Sequence, residues 1–278
     1  TLGYSNGTSA SSVQGNTWRG IYGGANPAAN TIHYIQHNSG GTTADFGDLS
    51  VSRTMIGGGS NETRAVFMGG NTPGKGNVID YTSISTTGNA ADFGDLTEQR
   101  RQTAGNCNHI RAFAMGGDTQ PGATTVMDMV TIATTGDAID FGDLIGTTYS
   151  GPQGTGSRTR GLNGGGQDPS YLTAINAFNY MTLGDCVDFG DLTSARRLAA
   201  AFSDTQRGVW ASGLASPGVV NVIDYVTISS AGNATDFGDV STSRDSPHSG
   251  ADSHQGLTDF YPRAPELYSP TGRPVVHG

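Results

Sequence analysis

The tetrapeptide Asp-Phe-Gly-Asp stands at residues 45–48, 92–95, 140–143, 188–191 and 236–239. Each copy sets two carboxylates around a glycine, the kind of hard oxygen ligands and tight backbone that magnesium and calcium sites use. A phosphoryl-transfer site built on Asp-Phe-Gly also needs a His-Arg-Asp catalytic loop and helical elements, and the sequence has neither. Calcium is the stronger alternative, but two carboxylates per copy, such as Asp92 and Asp95, are too few, and the ladder Asp-x-Asp-x-Asp-Gly is absent. Aspartates capping backbone N–H groups at a tight turn between repeats would give the same pattern. The reading favoured is structural for Asp45, Asp92, Asp140, Asp188 and Asp236, with no metal and no cofactor.

The remaining reactive side chains form no repeated constellation. The histidines at 33, 37, 109, 248, 254 and 277 occupy inequivalent positions, and the pair His33/His37, on one face of a strand, lacks further zinc ligands. No serine sits in a Gly-x-Ser-x-Gly elbow, and no carboxylate pair outside the repeat suggests an acid and a base. Cys107 and Cys186 fall at different places in their copies, which points to free thiols. An arginine follows the first Asp of each tetrapeptide by eight residues at Arg53, Arg100, Arg196 and Arg244, with Thr148 in the fourth copy. It is expected to bond the Asp of a neighbouring copy or backbone carbonyls. No catalytic residue is nominated and no enzyme activity is expected.

The elements that must position these residues follow from the spacing, which is 47 residues for the first interval and 48 for each of the others. A period in the forties marks a repeat architecture. Residues 53–96 show one copy: Arg53 to Gly59, then Arg64-Ala65-Val66-Phe67-Met68, then Asn77-Val78-Ile79-Asp80-Tyr81, then Ala91 to Leu96. These are four extended segments with alternating apolar side chains, separated by Gly, Pro and Asn turns. The 43 glycines serve those turns rather than disorder, because β-branched and aromatic residues recur between them. Four strands per copy and five copies predict an all-β, five-bladed propeller over residues 1–256, with Phe46, Phe93, Phe141, Phe189 and Phe237 buried between blades. A net charge of −9 argues against nucleic acid as partner, and no apolar run is long enough for a membrane helix. The start at Thr1 shows no signal peptide.

Arg-x-x-Phe/Tyr-x-Gly-Gly, Asn-x-Ile-Asp-Tyr and a fourth-strand aromatic make the copies resemble kelch-type propeller repeats, with Phe where kelch repeats usually carry Trp. More narrowly, Asn-Val-Ile-Asp-Tyr-Val-Thr-Ile and Gly-Asn-Ala-Thr-Asp-Phe-Gly-Asp-Val in residues 221–240 resemble repeats of structural or tail-fibre proteins of marine tailed bacteriophages. The resemblance spans about residues 17–256 and implies a virion location and a non-enzymatic fibre, adhesin or outer decoration role. A glycan-binding, lectin-like propeller is the alternative, and a carbohydrate-active enzyme a more distant one.

Two segments compete for the first strand of the first sheet. Residues 241–256 match the start of a further copy, with Arg244 on the common offset, and are preferred over residues 6–14 as the closing strand. Residues 257–278, with Pro262, Pro265, Pro270 and Pro274 among Phe260, Tyr261 and Tyr268, read as an extended arm that docks on other virion proteins. The fourth copy departs most from the consensus. Tyr149, Gln153, Arg158 and Tyr171, with Asn176-Ala177-Phe178-Asn179-Tyr180, are therefore candidates for contact with host glycan or protein.

Overall fold

In the computed structural model the described residues are 8–12, 19–25, 27–36, 41–119, 122–148, 153–204 and 206–243. They form five antiparallel sheets of four strands, each a simple meander, and no helix. Sheet 1 contains β1 (Thr8–Ser12), β2 (Arg19–Gly23), β3 (Ala29–Gln36) and β4 (Ala44–Arg53). Sheet 2 contains β5 (Gly57–Ser60), β6 (Arg64–Thr72), β7 (Gly74–Ser83) and β8 (Ala91–Arg100). Sheet 3 contains β9 (Ala104–Cys107), β10 (Arg111–Met115), β11 (Thr124–Thr131) and β12 (Ile139–Thr148). Sheet 4 contains β13 (Gln153–Gly156), β14 (Arg160–Gly164), β17 (Ala174–Asn179) and β18 (Val187–Asp191), and the connection from β14 to β17 forms a separate two-stranded hairpin, β15 (Gln167–Asp168) and β16 (Ser170–Tyr171). Sheet 5 contains β19 (Ala200–Ser203), β20 (Arg207–Ala211), β21 (Val222–Thr227) and β22 (Thr235–Asp239).

Period-2 alternation on the second and third strands gives each sheet two apolar faces, and a sheet alone can bury neither. Stacking buries them pairwise. Ile21, Ile32, Phe46 and Leu49 of sheet 1 pack on Ala65, Phe67 and Ile84 of sheet 2. Val66, Ile79 and Phe93 of sheet 2 meet Cys107, Ala112 and Val130 of sheet 3. Phe113, Met127 and Phe141 of sheet 3 meet Phe178, Tyr180 and Cys186 of sheet 4. Leu162, Ile175 and Phe189 of sheet 4 meet Trp210, Val226 and Ile228 of sheet 5. The first strands of successive sheets, β1, β5, β9, β13 and β19, also lie side by side.

Two expectations are corrected here. The first strand of sheet 1 is β1, paired antiparallel with β2 from Thr8↔Gly23 to Ser12↔Arg19, so the N-terminal segment fills the slot assigned to residues 241–256. A strand linked to its neighbour by a short connection closes a much smaller loop than one returning from the other end of the chain. Phe237 is not buried: it is 57% exposed, whereas Phe46, Phe93, Phe141 and Phe189 lie between 2% and 4%. The fifth sheet-on-sheet contact that a closed ring requires is thus not formed among the described residues. Arg244, Tyr149, Tyr261, Tyr268 and the arm 257–278 lie outside the described residues.

Candidate interaction surface

The tetrapeptide lies inside the last strand of each sheet, not in a turn. In sheet 2, Ile79 pairs with Gly94 and Asp80 with Asp92, so Phe93 is the extra residue of a β-bulge. The same shift recurs opposite Ile32, Met127, Ile175 and Ile223. The bulge glycine has φ between +140° and +149° in all five copies, a conformation open to glycine. It looked like turn chemistry in the sequence because bulges and turns use the same residue. Asp140 and Asp236 do accept the N–H of Gly142 and Gly238 at 3.1 and 3.0 Å, but as caps within the bulge. Among the described residues no three His, Cys, Asp or Glu side chains gather as a metal cluster would require.

The bulge docks on the next sheet. Gly136 N–H donates to Phe93 O at 2.7 Å, Ala138 N–H donates to Asp95 O at 2.8 Å, and the Asp95 N–H is received by Asp137 Oδ1 at 3.0 Å. The equivalent contacts join Gly88-Asn89-Ala90 to Phe46 and Asp48, Gly184-Asp185-Cys186 to Phe141 and Asp143, and Gly232-Asn233-Ala234 to Phe189 and Asp191. A Cβ placed at Gly47, Gly94, Gly142 or Gly190 would strike the carbonyl of the partner turn glycine. Close approach is therefore a second reason for the glycine.

Beside this backbone contact sits a buried ion pair. Arg53 Nη2 meets Asp80 Oδ2 at 2.7 Å, and Arg100–Asp128 and Arg196–Asp224 repeat the distance, with every partner at most 1% exposed. The arginine leaves one sheet and enters the next, where Arg53 also donates to Phe67 O, Gly69 O and Val78 O. The same aspartate accepts the hydroxyl and N–H of Ser50, Thr97 or Thr193. Burial lowers the pKa of Arg53, Arg100 and Arg196, and the facing carboxylate opposes that shift. Sequence reasoning expected a neighbouring Asp and carbonyls; the carbonyls are there, but the Asp is the third-strand residue, not one of the tetrapeptide. The signal was present, since Ser/Thr, Arg and Asp recur together in those copies and are replaced together by Ile145, Thr148 and Asn176.

The irregular stretch of the fourth copy, offered for recognition, is core instead. Phe178 and Tyr180 are 5% and 0% exposed and pack with Phe113 and Phe141 at centroid separations of 5.1 to 6.1 Å. Gln153 is half-buried on β13. Arg158 and Tyr171 are half-buried, and they are not brought together in one site; Arg197 stacks over the Tyr171 ring at 5.8 Å. Nearby second-to-third-strand loops are tied by Asp118, which holds Lys75 at 2.6 Å and Arg101 at 2.8 Å.

The least satisfied surface is the outer face of sheet 5. Val209, Ile223 and Tyr225 are half-buried there, and Phe237 stands edge-on to Tyr225 at 5.6 Å. A Cβ on Gly238 would meet nothing within 4 Å. Arg207 stacks on Tyr225 at 4.7 Å, as Arg19 stacks on Tyr34 and Arg64 on Tyr81. Arg19, Arg64, Arg111 and Arg160 each go on to donate to a carbonyl of the next sheet, at Ile84, Ile132, Tyr180 and Ile228. Arg207 is exposed and has no such acceptor among the described residues. No protein-family model matches the chain, and no curated protein matches it.

Proposed function

We propose that this chain is a non-enzymatic structural protein of a bacteriophage virion, a fibre, adhesin or outer decoration component, built on a kelch-like propeller array that makes protein contacts. The observation that carries the reading is the use of the repeated polar residues. The arginine, the third-strand aspartate and the bulge glycine that recur along the chain are engaged in holding sheet to sheet. What remains exposed at sheet 5 is an apolar face with open backbone groups, suited to another protein rather than to a small substrate. The resemblance of residues 221–240 to phage structural repeats supplies the setting. In this reading residues 257–278, with Tyr261 and Tyr268, dock on neighbouring virion proteins.

The test is immunoelectron microscopy of tailed particles from the host that encodes the chain, with an antibody raised against the purified protein. Regular labelling of fibre or capsid exterior is expected. Unlabelled particles from a lysate that contains the protein would end the virion reading. Strong glycan-array binding by such free protein would move the function to a lectin.

A further inference from the structure

We propose that the outer face of sheet 5 is a docking surface for a partner protein carrying a sheet of the same repeat, one with an inward aspartate on its third strand and a Gly-Asn/Asp-Ala turn. The first sheet of this chain, in the same or a second copy, is not that partner. The inference concerns the contact itself and does not depend on the virion setting.

Continuity with an established interface carries the first half. Among the described residues four contacts join the bulged last strand of one sheet to the turn of the next, through the same three hydrogen bonds. β22 keeps the last-strand half of that interface, which elsewhere supplies two carbonyl acceptors and one N–H donor. Its bulge has the same register, Gly238 the same conformation at φ +140°, and Phe237 the same edge-on aromatic neighbour as Phe46 and Phe93. Ser241 stands where Ser50, Thr97 and Thr193 offer a hydroxyl to the buried aspartate, and in the sequence Arg244 keeps the eight-residue offset of Arg53, Arg100 and Arg196. Where a copy has lost its aspartate, at Asn176, the hydroxyl and the arginine are lost with it, as Ile145 and Thr148. Ser241 and Arg244 are both retained, so the matching partner carries the carboxylate.

Sheet 1 does not. His33 occupies the place of Asp80, Asp128 and Asp224, twelve residues before the tetrapeptide. His33 is half-buried against Tyr22 at 5.5 Å and brings no carboxylate to a serine and an arginine. At the turn, Gly41 keeps the required backbone at φ +145° and is exposed, but Thr42 and Thr43 replace the Asn/Asp and the small residue of the other four turns. Thr42 cannot supply the side-chain carbonyl oxygen that receives the Asp N–H at the other contacts, and Thr43 adds bulk where Ala138 and Cys186 are buried.

The test gives sheet 1 the missing chemistry. Amide hydrogen exchange over residues 235–240 is compared with residues 187–192, in the full chain and in the His33→Asp/Thr42→Asn/Thr43→Ala variant, at micromolar and near-millimolar concentration with mass measured alongside. In the unaltered chain residues 235–240 should exchange at least about a hundredfold faster than 187–192, and the protein should stay monomeric. In the variant the same residues should slow at least about tenfold, whether by ring closure at constant mass or by head-to-tail association at rising mass. Slow exchange in the unaltered chain would overturn the proposal. Sheet 1 would then be the partner if deleting residues 244–278 leaves the protection, and the chain's own terminal segment would be the partner if deletion removes it. A variant as unprotected as the parent would also overturn it, because the three residues would then not define the contact.

Discussion

Sheets 2 and 3 meet through a charged centre, and sheets 3 and 4 meet through rings. At the first contact Arg100 and Asp128 form a fully buried ion pair, and the exposed Thr97 donates to the same carboxylate. At the second, Asn176 accepts a single N–H from Ile145 at 2.9 Å, while Phe113, Phe141, Phe178 and Tyr180 fill the space. The backbone contact is the same in both: Gly136 N–H to Phe93 O at 2.7 Å, and Gly184 N–H to Phe141 O at 2.9 Å. The repeat therefore separates two jobs. Glycine and the turn fix where the sheets dock, and the side-chain centre can be ionic or aromatic as long as it changes as a unit. This agrees with the general finding that a buried ion pair can be replaced by well-packed apolar groups at little cost, whereas removing one partner is expensive.

The largest effect should come from breaking the charged centre by halves. Asp128→Ala leaves the Arg100 guanidinium buried with the carbonyls of Ala114 and Val126 and with the partly exposed Glu98 carboxylate 3.6 Å away. A loss of about 3–5 kcal/mol is expected from urea unfolding, against about 1 kcal/mol for Asn176→Ala, which deletes one neutral hydrogen bond. Equal losses would mean that the ion pair is no more demanding than the amide that replaces it.

A second, smaller effect should appear when the aromatic contact is pushed towards the ionic one. Asn176→Asp places a carboxylate, at a position 5% exposed, opposite one backbone donor. It should cost about 2 kcal/mol at neutral pH and less in acid, where the carboxyl is protonated. Adding Thr148→Arg should recover at least about 1 kcal/mol through coupling between the two positions. A double variant no better than the sum of its parts would show that the fourth copy has lost the ionic geometry and not merely its residues.

Much of this was legible in the sequence. The period, the four strands per copy and the burial of four of the five tetrapeptide phenylalanines follow from spacing and alternation. Four features were missed for physical reasons. The bulge glycine looked like a turn glycine because both need a positive φ. The pairing of Arg53 with Asp80 joins strands of two different sheets, which the order of segments within a copy does not show, although the joint loss at 145, 148 and 176 encodes it. Phe237 is identical in sequence to its buried equivalents, and its exposure depends on what covers it, which a local pattern cannot express. The aromatic run at Phe178 and Tyr180 looked like grafted function because it broke the consensus; it is the compensation that keeps the contact packed.

The smallest effect tests whether the two contacts exclude water equally, through the thiol each one holds. Cys107 lies in the charged contact and receives the Ser60 N–H at 3.3 Å; Cys186 lies in the aromatic contact, 3.3 Å from Met127 Sδ. Burial pushes the Cys107 thiol up to about 11 and, helped by Asp185 and Asp143, the Cys186 thiol up to about 12, from an ordinary value near 9. A raised acid pKa stabilises the fold only while the unfolded chain also keeps its proton. Above pH about 9 the unfolded thiol ionises and the folded one does not, so unfolding releases a proton and stability falls as pH rises towards the folded value. Each thiol should remove up to about 1.4 kcal/mol per pH unit in that window. Burial also holds Tyr180 well above its usual range, so the measurement belongs between pH 9 and about 10, before tyrosine contributes. Urea midpoints there should show one slope for the parent, about half of it for Cys107→Ala and for Cys186→Ala alike, and none from thiols in the double variant. If removing Cys186 leaves the parent slope intact, the aromatic contact admits solvent to its thiol. The two centres would then be unequal seals on the same backbone frame.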